Sequence, residues 1–518
     1  MKRRSFIKSG SLLAVPGLLG GVPVSALASS SLSGLINGES DRVLVLIQLN
    51  GGNDGLAMVI PRDQQDNLAA VRPNIFIPED KFINITDTVA LHPSMQGAAN
   101  LYNDAKLNII QGVAYPNQNR SHFRSSDIWH TGSSADEFLA TGWLGRYFSN
   151  RYPGYPSGYP TAECPHPFAL TIGNSVTETC QGETGNFSLA VVDPENLNQL
   201  ASPTNNEDLT GCAKSKLDFL VTAIQQTNVY SEVLTEIYEQ GTNMSDKYNL
   251  EDQLAVRLRT VARMISGGAQ TKIYVVSLGG FDTHAFQTED GDTDTGIHAD
   301  LLGTLSSAIE AFQDDIEQLG LADRVIGMTY SEFGRRIRSN ASFGTDHGTA
   351  APLLVFGKCV NAGIVGQNVQ INLDVNQNEG VPMQHDFRSV YGSMLMDWFD
   401  VQEDEVNELF NHDFQYIPIA NNCNTSTNTN DLQEDVFSLK VYPNPFDRKF
   451  NLEFDSKNEW IKISVFNTIG SEVKVLMNKT INFGNHLMSF DLEGLPAGAY
   501  FVRVMSRSNQ RTIRIIKQ

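Results

Sequence analysis

Cysteine is scarce in this chain of 518 residues: there are five, an odd number, and none forms a Cys-x-x-Cys pair. The usual structural zinc site, which needs paired thiolates close in sequence, is therefore not expected. Cations are short too, with 38 Lys and Arg against 59 Asp and Glu, a formal charge of −21. A nucleic-acid binder needs a basic surface to neutralise phosphates, so that class is excluded. No apolar run has the roughly 20 residues that a membrane-spanning helix requires. What remains is 41% apolar and 19% charged, the composition of a globular protein. Its length exceeds one ordinary core, so two or more domains are expected. Cys164, Cys180 and Cys212 fall in one loop-rich stretch and could supply a disulfide in an oxidising compartment.

The charge is unevenly spread. Residues 1–28 carry four cations and no acids, and residues 437–518 carry 12 Lys and Arg against 7 Asp and Glu. The stretch between them therefore holds about −30. Carboxylates in such excess are best tolerated where cations bind. The first residues have the order of a signal peptide. A basic start precedes an apolar run from Leu12 to Val24, broken by Pro16 and Pro23, and then the small-residue site Ala26-Leu27-Ala28. Arg3-Arg4-Ser5-Phe6-Ile7-Lys8 resembles the twin-arginine export signal, which carries folded proteins and implies the twin-arginine translocase as partner.

After a polar linker over residues 421–436 come short alternating runs such as "NLEF", "IKISVFN" and "AYFVRV", separated by turn signals. Strands at this spacing predict a small β-sandwich over 437–518. Tyr442-Pro443-Asn444-Pro445, Leu495-Pro496-Ala497-Gly498-Ala499-Tyr500 and the closing Lys517 resemble the C-terminal sorting domain of type IX secretion. The resemblance implies that machinery as partner and delivery to the outer surface or medium of a Gram-negative cell.

Residues 29–420 read as an α/β domain with a mainly parallel sheet. Apolar strands "RVLVLIQL", "KLNIIQGVAYP", "TKIYVVSL" and "DRVIGMTY" each run out into a loop bearing Asp, Glu, His or Ser. Leu301, Leu305, Ile309, Phe312, Ile316 and Leu319 recur every three or four residues and predict a helix before the last of these strands. If the strands are parallel, Asp54, Ser121, Asp282, His284 and Glu332 gather at one sheet edge, with Asp346 and His347 just beyond. Asp, His and Glu without thiolates suit Zn²⁺, Mn²⁺ or Mg²⁺. Each element also has a plainer reading. Asp346-His347 in "FGTDHGTAAP" could be a capped turn, and Glu332 with Arg335 or Arg336 a salt-bridged helix start. The loop Thr288–Gly296 has Asp at alternate positions like a calcium loop. It lacks the sixth-place Gly and the twelfth-place Glu, so a solvated acidic loop is expected.

"LNGGNDGL", "NRSHFRSSDIWHTG", "GGFDTHAFQ", "SEFGRR" and "GTDHGTAAP" resemble, in order, the blocks of the domain of unknown function 1501 family, within the alkaline phosphatase-like superfamily. That resemblance implies a three-layer α/β/α sandwich and two divalent ions, with no organic cofactor. It implies Asp54, Asp282, His284, Asp346, His347 and His385 as metal ligands, with Asp386 a rival to His385, and Ser121 as nucleophile, with Ser126 a weaker rival. Arg124 or Arg120 would steady the ester's charge. Glu332 and His122 would be substitute ligands or orienting groups. The function expected is an exported, metal-dependent hydrolase of phosphate or sulfate esters, acting on a small anionic ester or a sulfated glycan. The alternative is a non-catalytic surface binding or scaffolding protein that keeps the fold.

Overall fold

The computed structural model describes residues 41–197, 211–421, 423, 439–456, 459–467, 472–506 and 510–518, with two short strands at Leu18–Leu19 and Val22–Pro23. The rest of the signal segment and most of the polar linker lie outside the described residues, as does the side chain of Cys212. Met1–Gly357 with Gly363–His385 form one compact unit, and Lys358–Ala362 with Asp386–Gln518 form another.

The first unit is built on a mixed sheet whose strands are β1 (Val43–Asn50), β2 (Leu107–Ala114), β3 (Ala169–Ile172), β4 (Ser188–Val191), β5 (Ile273–Gly279), β6 (Val325–Tyr330), β7 (Ala351–Phe356) and β8 (Gly363–Val365). They lie side by side in the order β8-β2-β7-β6-β1-β5-β3-β4. Neighbours are parallel except at β7, which runs against both β2 and β6. Reversal of β7 puts its first residues at the edge where the other strands end. The loop before β7 therefore meets the loops after β1, β2, β5 and β6.

Central strand β1 is covered on both faces, as its run of Val, Leu and Ile predicts. Val43, Val45, Ile47 and Leu49 join a core with helices α2 (Gln253–Ser266) and α3 (Ile297–Gln318). Leu44 and Leu46 face the other way and are as deeply buried. On that side Trp129 of helix α1 (His122–Thr131) stacks on Tyr330 of β6, 6.0 Å between ring centres. In α3 Leu305, Ile309, Phe312 and Ile316 of the predicted stripe are buried, each contributing about 1.5–3 kcal/mol by leaving water, while Leu301 and Leu319 are half-buried and Leu302 is buried instead. Helix α1 stops where Gly132 takes a left-handed conformation (φ 71°), which costs glycine little.

The second unit carries helix α4 (Phe387–Phe399) and two antiparallel sheets. One has strands β9 (Leu439–Tyr442), β10 (Lys449–Ser456) and β13 (Gly484–Asp491). The other has β11 (Glu459–Phe466), β12 (Glu472–Ile481), β14 (Gly498–Ser506) and β15 (Gln510–Lys517). Alternate residues Phe450, Leu452 and Phe454 of one sheet and Ile461, Ile463 and Val465 of the other share a core, as the period-2 pattern requires. The quoted tail motifs are structural stitches. Asn444 Nδ2 donates to the Arg514 carbonyl and Asn444 Oδ1 accepts from the Ile516 N–H, both at 2.8 Å. Lys517 Nζ donates to the carbonyls of Leu492 (3.0 Å) and Leu495 (2.5 Å).

Sequence did not single out the disulfide that joins Cys359 to Cys423, whose Cα atoms lie 5.3 Å apart. The expected pairing among Cys164, Cys180 and Cys212 involves a side chain, Cys212, outside the described residues. The backbone at Asn361 and Asn421, bonded to Ile419 and Cys359 respectively at 2.8 Å, brings the actual pair together. The bridge closes 64 residues, for which chain entropy predicts roughly 4 kcal/mol. Replacing both Cys359 and Cys423 by Ser should therefore destabilise this unit by about 2–4 kcal/mol in urea unfolding, while thiol labelling of the native oxidised chain finds neither residue.

Candidate metal centre and cleft

Three glycine-rich loops and two neighbouring segments meet at the carboxyl edge of the sheet. Gly51 and Gly52 turn the chain after β1 with φ of 122° and 84°. A Cβ at Gly51 would lie 2.3 Å from the Asp282 nitrogen, and one at Gly52 would lie 2.3 Å from the Phe333 ring. Neither position could carry a side chain without driving these loops apart.

Three imidazoles converge on one carboxylate. Each ring uses Nδ1 to donate outward: His122 to Glu332 Oε1 (2.9 Å), His284 to Asp346 Oδ1 (3.0 Å), and His347 to the Arg120 carbonyl (2.8 Å). A carbonyl or carboxylate can only accept, so in a neutral ring the lone pair sits on Nε2. All three Nε2 atoms then face Asp282: His347 at 3.1 Å and His284 at 3.2 Å from Oδ1, His122 at 3.4 Å from Oδ2. His284 Nε2 and His347 Nε2 are themselves 2.9 Å apart. Lone pairs thus point at lone pairs, an arrangement that costs energy unless a proton or cation lies among them. The donor atoms of His122, Asp282 and His347 all fall within 4.8 Å of one another. Nitrogen and oxygen donors in this number, each imidazole oriented by an outer acceptor, fit a borderline divalent ion.

The electrostatics favour an ionised Asp282. Burial works against it, but the hydrogen bond and the charge of the Arg335 guanidinium outweigh burial and hold its pKa at about 2. Burial lowers the pKa of His347, keeping that ring neutral. Phe333 packs against both His122 and His347, with ring centres 5.0 and 4.6 Å away, which limits their rotation.

Arg335 holds the loops in place, and its side chain is wholly buried. Nε donates to the Gly52 carbonyl (2.6 Å) and Nη1 to that of Thr345 (2.8 Å). Nη2 serves Asp282 Oδ1 (2.7 Å), the Phe281 carbonyl (3.0 Å) and the Gly51 carbonyl. Glu332 does not begin a helix. It is buried, accepting from His122 and from the Gly51 N–H (2.9 Å).

Of the residues singled out by sequence, His122, Asp282, His284, Glu332, Asp346 and His347 come together. Asp54 lies beneath them in a buried ion pair with Arg72 (2.7 Å), and it also accepts from Gln287 (2.7 Å). His385 follows Gln384, whose N–H donates to the Gly112 carbonyl in β2 (2.8 Å). Ser121 is exposed at the N-cap of α1 and its side chain makes no capping bond. Arg124 turns its guanidinium to Asp127 and the carbonyls of Ser134, Ala135 and Glu137. Arg120 reaches the Asn378 carbonyl (2.8 Å). In the acidic loop, Lys81 sits between Asp292 (3.1 Å) and Asp294 (2.5 Å), which supplies the cation there.

Beside the cluster opens a cleft of about 690 Å³ lined by His122, Ser126, Asp282 and Glu332 and, farther along, by His130 and Glu178. Gln48, Asn50 and Ser277 also line it, and sequence reasoning missed them. The signal was there: Gln48 and Asn50 are polar residues two apart in a strand otherwise wholly apolar.

Residues 41–397 match the family model described as Protein of unknown function (DUF1501). The chain belongs to the DUF1501 family. Residues 440–518 match the secretion system C-terminal sorting domain, which indicates export to the cell surface or outside. No curated protein matches the chain. Among solved structures, the chain is similar to a phosphonate monoester hydrolase from Silicibacter pomeroyi (9% identity, 92% of this chain and 88% of that one, TM-score 0.32). It is also similar to an alkaline phosphatase superfamily protein from Vibrio parahaemolyticus (9%, 86% and 83%, TM-score 0.30). A third is the C-terminal periplasmic domain of EcEptC from Escherichia coli (11%, 73% and 86%, TM-score 0.32). No helix among the described residues is long and apolar enough to cross a membrane.

Two predictions follow from the groups beneath the DUF1501 site. Arg335→Met strands Asp282 and four carbonyls, so it should cost about 3–5 kcal/mol in denaturant unfolding, and Arg335→Lys should recover little because it lacks the fork. His298 is buried and donates from Nε2 to Asn53 Oδ1 (3.0 Å). Burial pushes its pKa down to about 4, against the pull of Asp54 and with Arg335 and Arg72 adding to the depression; His92, across from it, falls to about 3. The folded state therefore prefers neutral His298, and this stability is fully present above pH ~6.5 and lost as pH falls towards 4. At ~1.4 kcal/mol per unit the loss is about 3 kcal/mol. Urea midpoints measured from pH 7 to 4 should fall more steeply for the wild type than for His298→Gln.

Proposed function

We propose that this DUF1501 protein is an exported, metal-dependent hydrolase of phosphate or sulfate esters. The observation that carries this reading is the convergence of three imidazole Nε2 atoms on Asp282, each ring having Nδ1 anchored elsewhere. His122, Asp282, His284 and His347 would hold the ion, with Glu332 and Asp346 orienting His122 and His284. A divalent ion bound there supplies Lewis-acid polarisation of an ester oxygen and favours the deprotonated form of an attacking group. Arg335 keeps Asp282 charged and fixed, so the donor geometry is set before substrate arrives. Ser121, exposed beside His122, and Ser126, one helical turn on and lining the cleft, are the two candidate nucleophiles. The early residues would direct export through the twin-arginine translocase and the tail through type IX secretion. Folding around a metal before export gives a reason for the former route.

Elemental mass spectrometry on the full chain tests the site. About one Zn or Mn per chain is expected, lost in Asp282→Asn and His347→Gln and bound about 10–100-fold more weakly in Glu332→Gln. Metal-free protein after supplementation would sink the reading. With metal present, turnover of aryl phosphate and aryl sulfate esters should drop at least about 10³-fold in one of Ser121→Ala and Ser126→Ala. Unchanged turnover in both would remove the serine nucleophile.

A further inference from the structure

The cleft beside the cluster has a lining with a definite chemical character. Gln48, Asn50, Ser126, Ser175 and Ser277 all face it, and their side chains make no hydrogen bond to any described residue. Gln48 and Ser277 are register partners on adjacent strands β1 and β5, and Asn50 lies two residues beyond Gln48 on the same face. Amide and hydroxyl groups left unpartnered on the central strands of a sheet are groups held ready for something outside the chain. Among the described residues no Lys or Arg lines the cleft, and its carboxylates are Glu178, Asp282 and Glu332. Of the arginines nearby, Arg335 and Arg124 are turned to carbonyls and carboxylates, and Arg257 donates to the main-chain carbonyl of Ser277. Beyond the one ion that the cluster would hold, a ligand bearing many negative charges would meet Glu178 on this wall and no Lys or Arg among the described residues to offset it. At its lip stands Phe123, 90% exposed and next in sequence to His122.

We infer that the cleft holds an uncharged, polyhydroxylated body, a saccharide or comparable polyol, whose single ester group reaches His122, Asp282 and His347. The inference rests on the reading of that cluster as the reacting end of the cleft. It narrows the substrate class away from densely sulfated glycans. Ring hydroxyls would pair with Gln48, Asn50 and Ser277, both donors and acceptors being available in amide and hydroxyl groups. The bare face of Phe123 would take the C–H face of a sugar ring, a contact that needs no charge. The cleft volume, about 690 Å³, is in the range of pockets that enclose small ligands.

Titration calorimetry on the metal-loaded full chain tests this with neutral gluco-, galacto-, manno- and xylo-configured hexasaccharides, and with a sulfated form of whichever binds. At least one neutral probe should bind with Kd below about 1 mM, and its sulfated form about tenfold more weakly or worse. Phe123→Ala, at a position outside the core, should weaken neutral binding about tenfold. Glu178→Lys, at an exposed site on the wall, should strengthen binding of the sulfated probe about fivefold or more. The inference is overturned if no neutral probe binds, if the sulfated form binds tighter to the wild type, or if neither substitution changes affinity. Neutral binding without turnover of any ester would sink the hydrolase reading alone. Turnover of a small aryl ester with no saccharide binding would sink only the present inference.

Discussion

One buried guanidinium holds the upper edge of the first unit together. The rigid guanidinium fork of Arg335 donates to the carbonyls of Gly51, Gly52, Phe281 and Thr345 and to Asp282, with the two N–H groups of Nη2 shared among three of these acceptors. A cation with no water contact is tolerable only where dipoles and an opposite charge surround it. Here those partners come from the loops after β1 and β5 and the segment before β7. Satisfying the charge and bringing the loops together are therefore the same event.

Around that point the imidazoles are oriented from outside. Glu332, Asp346 and the Arg120 carbonyl each take one Nδ1–H, and they belong to three different stretches of chain. Beneath lies a second set of struts. Arg72 pairs with Asp54 and donates to the carbonyls of Arg336 and Ile337 at 2.5 Å. Gln287 joins Asp54 to Thr345, donating to the first and accepting from the second at 2.8 Å. The polar cluster is thus backed by polar groups that are themselves satisfied, which is how a site keeps its shape before a ligand arrives.

The second unit is organised by simpler physics. Alternating apolar residues close a sandwich, and the tail motifs act within it: Asn444 stitches the Pro-rich segment to β15, and Lys517 caps the chain reversal near Leu492 and Leu495. Residues that read as a sorting signal are also those that fasten the last strand.

Much of this was legible in the amino-acid order. The apolar strand runs, the period of three or four over residues 301–319 and the alternation in the tail set the α/β and all-β classes, because secondary-structure period and burial are local properties. The glycine loops at strand ends marked Asp282, His284, Glu332, Asp346 and His347, which do meet, since parallel strands deliver their ends to one edge. Other features had no local trace. Asp54 looks, in sequence, no different from Asp282, yet one is a strut under Arg72 and the other stands at the convergence of three imidazoles. Nor does sequence say that Cys359 meets Cys423, that Arg335 is the shared donor, or which nitrogen of each imidazole points inward. Those outcomes depend on contacts between residues up to hundreds of positions apart. Only the folded chain, by reversing β7 and closing the loops on one guanidinium, decides them.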